Sequence, residues 1–264
     1  MTQVTADMVR ELREMTGAPM MDTKRALVDA DGDLEAAKQL LRERGMASAG
    51  KRAGNQTPEG VVLTRLDDAK GTIVAVGSET EPVSKNDEFR AFAEKVLDAV
   101  ETDGPEAIES LEDERKELIG KIGENIIVRG AARFEGGNGK AIAAYVHPPA
   151  NKIGVLVKAE GSPEAARRLA MHIAFAAPRF ATRDEVPEEE VAKEREIYEK
   201  LPEVESKPEQ AREKIVEGML NKRFFEANVL AEQKWVHDDD FAVGKVLADA
   251  GAEVLEFQRF SLAG

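Results

Sequence analysis

Twice along this chain, a short run of β-branched and small apolar residues gives way, across a polar interval, to apolar residues at helical spacing. Residues 72–76 precede Phe89, Phe92, Ala93, Val96 and Leu97. Residues 154–157 precede Ala166, Leu169, Ala170, Ile173 and Ala174. A compact apolar run reads as a buried strand, and the 3–4 spacing reads as one face of a helix. Further runs at 60–66, 126–134, 141–146 and 253–260 supply neighbouring strands, with residues 67–71 joining a hairpin and Gly136-Gly137-Asn138-Gly139 read as a hairpin turn. The recurrence predicts an α+β core built from two related halves.

The chain before this core has a different pattern. Thr5 can cap a helix that carries Met8, Val9, Leu12 and Met15 on one face, and Gly17 can end it. A second helix is expected over 21–30, with Asp22 in its first turn and Gly32 after it. Asp33 caps a third, with Leu34, Ala37, Leu40 and Leu41, which stops at Gly45. Two adjacent methionines, Met20 and Met21, cannot both face so small a core, so one of them is expected outside, where an adaptable thioether suits a binding surface. Residues 46–58 are small, polar and aperiodic, and read as a linker. Residues 1–52 hold nine basic and nine acidic side chains, so the net charge of −14 belongs to the remainder.

That charge argues against a protein that follows nucleic-acid phosphates. No apolar run is long enough to span a membrane, and residues 1–7 lack the apolar core of a signal peptide. Cysteine is absent, which removes disulfides and thiolate chemistry and suits the cytoplasm, where we place the protein. The second half is interrupted: residues 183–217 hold 13 acidic and 7 basic side chains with few large apolar ones, and Pro202 and Pro208 break the run. A projecting helical hairpin fits, and it could carry contacts to a second copy of the chain. Phe224, Phe225, Val229, Leu230 and Trp235 then return to a core, and Asp240 can cap a last helix with Phe241, Val243, Val246 and Leu247.

No catalytic constellation emerges. Residues 45–52 approach a phosphate-binding loop but lack the final Ser or Thr and follow a helix rather than a strand. The three histidines, His147, His172 and His237, have no metal-ligand spacing. Neither a metal nor a cofactor is expected, and a binding or regulatory protein is favoured over an enzyme. The stretch that stands out is Gly77-Ser78-Glu79-Thr80-Glu81-Pro82-Val83-Ser84-Lys85-Asn86 between the first strand–helix pair. Asp87 can cap the helix after it, and Pro82 should push Glu81 toward an extended backbone. Such a tip suits insertion into a partner, but most short loops only connect, and the residues leave both readings open.

Several stretches resemble one family. Leu12-Arg13-Glu14-Met15-Thr16-Gly17-Ala18-Pro19-Met20-Met21-Asp22-Thr23-Lys24-Arg25-Ala26-Leu27 followed by Gly32-Asp33, then Lys121-Ile122-Gly123-Glu124-Asn125, Ile153-Gly154-Val155-Leu156-Val157, Ala170-Met171-His172-Ile173-Ala174, Ile215-Val216-Glu217-Gly218 and Phe257-Gln258-Arg259-Phe260 resemble, in order, bacterial elongation factor Ts. That family is the guanine nucleotide exchange factor of elongation factor Tu. The resemblance implies a ubiquitin-associated-like three-helix module (1–52) that binds the GTPase, core subdomains at 53–140 and at 141–182 with 227–264, and an inserted helical hairpin at 183–226. It implies partner contacts from Leu12, Met20, Met21, Ile122, Gly123 and His147, and a loop at Thr80, Glu81, Pro82 and Val83 that enters the GDP-bound partner near its Mg²⁺ and persists in the nucleotide-free complex. Where the family motif reads Thr-Asp-Phe-Val, this chain has Glu81 for the acid and Pro82 for the aromatic. Either proline supplies a smaller wedge or surrounding contacts carry exchange; a non-exchanging partner or scaffold is the alternative. The extra C-terminal helix of some members is not expected after Phe260.

Overall fold

The computed structural model describes residues 4–67, 70–137 and 139–262. It opens with three helices, α1 (Ala6–Thr16), α2 (Met20–Asp29) and α3 (Leu34–Arg52). The Thr5 hydroxyl accepts from the Met8 N–H, and Asp33 accepts from the Ala36 N–H, so two otherwise orphaned amides are satisfied. Gly17 ends α1 in the left-handed region, its N–H bonded to the Arg13 carbonyl at 2.7 Å. Leu12, Ala26, Leu27 and Ala37 fill the small core. Met15, expected on the buried face, is 47% exposed.

α3 does not stop at Gly45 and the linker does not begin at residue 46. The helix runs through both Gly45 and Gly50 to Arg52, leaving 53–58 as the connection. The reason lies across the molecule. α3 crosses α6 (Glu112–Ile122) so closely that a Cβ on Gly120 would sit 2.5 Å from the Gly45 Cα. Packing at this glycine–glycine crossing outweighs the weak helix propensity of glycine. An Arg42–Glu117 ion pair at 2.7 Å flanks the crossing.

β1 (Glu59–Leu66), β2 (Lys70–Ser78) and β3 (Ile126–Glu135) form one antiparallel sheet in the order β1-β2-β3. β4 (Lys140–Val146), β5 (Ile153–Glu160) and β8 (Glu253–Ser261) form a second, in the order β4-β5-β8. α5 (Asp87–Asp103) covers the outer face of the first sheet and α7 (Pro163–Ala176) that of the second. The inner faces meet through Val62, Ile73, Ala75, Leu156 and Leu262, giving four layers in the order helix, sheet, sheet, helix. β2 is therefore covered on both sides: Val74 and Val76 face α5, while Ile73 and Ala75 face the other sheet. That is why its sequence is continuously apolar rather than alternating. A Cβ at Gly154 would meet the Val62 side chain at 2.4 Å, so glycine lets the sheets approach. Residues 136–139 do not close a hairpin within one sheet. Gly137 bridges Lys140 locally, but β3 and β4 pair with different partners, and the turn carries the chain between sheets. Asn138 lies outside the described residues.

Beyond α7 come α8 (Glu188–Glu199), α9 (Pro202–Glu205), α10 (Glu209–Met219), a π-helical turn over Leu220–Phe225 and the single turn α11 (Glu226–Asn228). They close on their own cluster of Val186, Tyr198, Val204, Val216, Leu220, Phe224, Phe225 and Val229. Pro202 lies in the first turn of α9 and Pro208 just precedes α10, places where a missing N–H costs little. β6 (Lys234–Trp235) and β7 (Asp238–Ala242) form a tight hairpin before α12 (Val243–Asp249). Asp240 thus lies in a strand and does not cap the last helix, and Phe241 is 41% exposed. The Asp238 carboxylate accepts the Asp240 N–H at 3.3 Å, a local bond that favours the turn over a helix start. No helix among the described residues is long and apolar enough to cross a membrane.

Candidate functional site

β2 is buried to its last residue, Ser78, and the chain then emerges. The next residues do not form an extended loop. Glu81–Ser84 is a single helical turn, α4, with Thr80 as its N-cap and Pro82 in its first turn. Proline can enter a first turn because no N–H is needed there, so Glu81 becomes helical rather than extended. The turn closes through Ser84 N–H to the Thr80 carbonyl at 3.2 Å and Ser84 hydroxyl to the Glu81 carbonyl at 2.7 Å. Val83 packs on the core under α5 while Thr80, Glu81 and Pro82 stay exposed. Asn86, not Asp87, caps α5: its side-chain oxygen accepts from the Glu88 and Phe89 amides. Lys85 pairs with Glu81 at 2.7 Å and holds that carboxyl below its ordinary range.

A second element approaches the tip. α6 ends at Ile122, and Gly123 takes the left-handed conformation, its N–H bonded to the Ile119 carbonyl at 2.8 Å. Ile122 is half-buried against the core of the first sheet. The next residue, Glu124, accepts the Thr80 amide at 3.0 Å and the Thr80 hydroxyl at 2.7 Å. Thr80 is therefore bound directly to the corner that contains Ile122 and Gly123.

The N-terminal helices join the same region through Lys121. Its stem lies against Gly17, where a Cβ would come within 1.8 Å of Lys121 Cε, and its ammonium pairs with Glu88 at 2.5 Å. Past Gly17, both methionines face outward: Met20 is 58% and Met21 57% exposed, lining an open groove with Val4, Val9 and Gly17. Where one of the pair is expected outside, the structure puts both there, because Ala18 and Thr23 take the buried positions beside them. Leu12, expected at the partner surface, is wholly buried among Ala26, Leu27 and Ala37. It packs the module and cannot itself touch a partner in this arrangement.

His147 is exposed in the turn after β4, and its Nδ1 lies 2.9 Å from the Tyr145 hydroxyl. Lys152, at the far side of that turn, pairs with Glu59 at 2.5 Å, and Glu59 lies opposite Ser78 in the β1–β2 register. The turn therefore sits at the end of the sheets from which α4 projects. Thr80, Glu81, Pro82, Val83, Ile122, Gly123, Met20, Met21 and His147 are gathered on this side, with Leu12 beneath. Glu79, Lys121 and Glu124 lie in stretches already singled out in the sequence, but their part in the gathering is not visible there, since Thr80 and Glu124 are 44 positions apart. Among the described residues, no three His, Asp or Glu side chains stand together as metal ligands.

Residues 79–264 match a family model described as "Elongation factor TS". The chain is 39% identical over 272 residues to elongation factor Ts of Alkalilimnicola ehrlichii, covering 98% of this chain and 92% of that protein. It is 42% identical over 276 residues to elongation factor Ts of Halorhodospira halophila, with the same coverage. It is 42% identical over 265 residues to elongation factor Ts of Deinococcus radiodurans, covering 96% of this chain and 98% of that one.

Proposed function

The chain belongs to the elongation factor Ts family of translation elongation factors, and from that premise we propose that it promotes GDP release from elongation factor Tu. It binds the GDP-bound GTPase and holds the nucleotide-free form, making and breaking no covalent bond. In this reading residues 1–52 dock on the GTPase, with Met20 and Met21 as apolar contacts. The core subdomains, 53–140 and 141–182 with 227–264, present α4 and the 122–123 corner, and 183–226 is an insertion. The observation that carries the reading is the construction of α4. Its base is held by Val83 and Ser84, and its tip, Thr80, Glu81 and Pro82, is exposed to a partner.

The physical logic is negative coupling: factor and GDP each bind the GTPase and each weakens the other by the same factor. A shift of roughly 100-fold needs about 3 kcal/mol of coupling. A stiff turn inserted beside the nucleotide can supply it by displacing groups that hold Mg²⁺ and phosphate. Glu81 would act by charge on the metal's surroundings, and Pro82 would keep the turn from yielding.

Fluorescent-GDP release from elongation factor Tu tests this. Replacing Glu81 and Pro82 together by alanine should slow factor-dependent release by about tenfold or more, the scale of one lost charge-assisted contact. An unchanged rate would remove α4 from the mechanism. One observation favours a second reading: with Pro82 in place of an aromatic, α4 carries no large wedge. A non-exchanging partner or scaffold would form a stable complex with elongation factor Tu and leave GDP release unaccelerated.

A further inference from the structure

The tip is tied down by two carboxylates that point in opposite directions. On the β2 side, Glu79 Oε1 accepts the backbone N–H of Asn125 at 2.6 Å and the side-chain amide of Asn55 at 2.9 Å. On the corner side, Glu124 accepts both the backbone N–H and the hydroxyl of Thr80, at 3.0 and 2.7 Å. Asn125, itself only 3% exposed, donates its amide to the Asn55 carbonyl at 2.9 Å. Adjacent residues of each segment thus exchange carboxylate-to-backbone bonds, and the connection after α3 is joined to both through Asn55.

α4 needs such a base. A single helical turn fixes several backbone angles for very few hydrogen bonds and does not hold itself. The Thr80 and Asn125 amides also lack a carbonyl partner at these chain exits, so an acid is the natural acceptor. The hydrogen bonds donated by the Asn125 N–H and then the Asn55 side chain keep the Glu79 carboxyl below its usual range, so it stays charged and accepting at neutral pH.

From this reciprocal arrangement we propose that Glu79 and Glu124 are positioning residues for exchange, setting the direction in which α4 projects relative to Ile122, Gly123 and the N-terminal helices. The inference rests on the exchange reading above and deepens it. Glu81 belongs to the surface that meets the partner; Glu79 and Glu124 act through the backbone they hold.

Glu124→Ala and Glu124→Gln separate this role from a simple effect of charge. Glutamine can still accept the Thr80 amide and place its own amide against the hydroxyl; alanine can do neither. In stopped-flow release of fluorescent GDP from elongation factor Tu at rising factor concentration, Glu124→Ala should lower the maximal rate about tenfold while the half-saturating concentration moves less than about threefold. Glu124→Gln should restore most of the loss. In the free protein, the amides of Thr80 and Ser84 should exchange about tenfold faster in Glu124→Ala, with β1 and β2 unchanged. Glu79→Ala, on the opposite limb, should repeat the pattern and serves as the second variant if Glu124→Ala does not fold.

A wild-type maximal rate with wild-type protection at Thr80 and Ser84 in both alanine variants would overturn the proposal. So would a Glu124→Gln protein as slow as Glu124→Ala, which would assign the effect to charge. No acceleration by the wild-type protein would instead count against the exchange reading, and the amide exchange of the free protein would still decide whether the two carboxylates hold the turn.

Discussion

The two sheet-and-helix halves of this protein share a topology and differ in how they pass from central strand to helix. In the second half, β5 ends at Glu160 and α7 begins at Pro163; residues 161 and 162 suffice, with Ser162 capping the helix through the Ala165 N–H at 3.1 Å. In the first half the same passage takes residues 79–86 and contains α4, the Asn86 cap and the Glu79–Glu124 pair of clamps. Two residues are enough to make the turn, so the other six are not there to connect. The halves also seal their cores differently. α5 packs a wholly apolar cluster, whereas α7 buries His172 against Trp235, its ring nitrogens bonded to Gln233 and to the Val236 N–H. The comparison teaches that one repeat served as scaffold twice, with the extra chain length of the first spent on an exposed, braced projection.

The largest effect should come from testing whether the two frames are equivalent. Leu97 on α5 and Leu169 on α7 are both buried, and truncating either to alanine should cost about 2–5 kcal/mol. Urea melts giving similar losses would sharpen the comparison; a loss below about 1 kcal/mol at one site would break it.

A smaller effect should separate the halves. His172→Ala should cost about 1–3 kcal/mol, because it orphans Gln233 and the Val236 amide. Desolvation lowers the His172 pKa below its ordinary value of 6.5, with His237 adding to the fall and Gln233 opposing it. Val236 donates to Nδ1, so the proton of the neutral ring lies on Nε2 and is given to Gln233. The folded state therefore binds this proton less readily than the unfolded chain. Its contribution to stability is whole above pH 6.5 and drains as pH falls below that value. Melts between neutral and mildly acidic pH should show this loss in the native protein and less of it in His172→Ala.

The smallest effect should come from Lys85→Ala. It removes an exposed ion pair with Glu81 and should leave the melting temperature nearly unchanged. A larger drop in melting temperature would mean that α4 leans on Lys85 rather than on the clamps at its base.

Much of the fold was legible along the chain because it rests on local rules. The apolar runs of β2 and β5, the spaced faces of α5 and α7, and the caps at Thr5 and Asp33 each report on neighbours a few residues away. The misreadings have a common cause in distant partners. Gly45 reads as a helix stop until Gly120 is set against it. Residues 136–139 read as a hairpin until the sheets take different partners for β3 and β4. Met20 and Met21 could be noticed as a pair, but that both face outward, and that Leu12 lies beneath, depended on how three short helices divide so few buried positions.

By itself, the order of residues determined the periodicities, the helix caps at Thr5 and Asp33 and the absence of thiol chemistry, because each of these is a property of neighbours in sequence or of composition. Only the tertiary structure decided that residues 79–86 fold into a braced turn, that Glu124 reaches Thr80 across 44 positions, and that the N-terminal helices share a side with both. Hydrogen bonds and close packing act over a few ångströms of space regardless of separation along the chain, so what they assemble appears only when the layers are stacked.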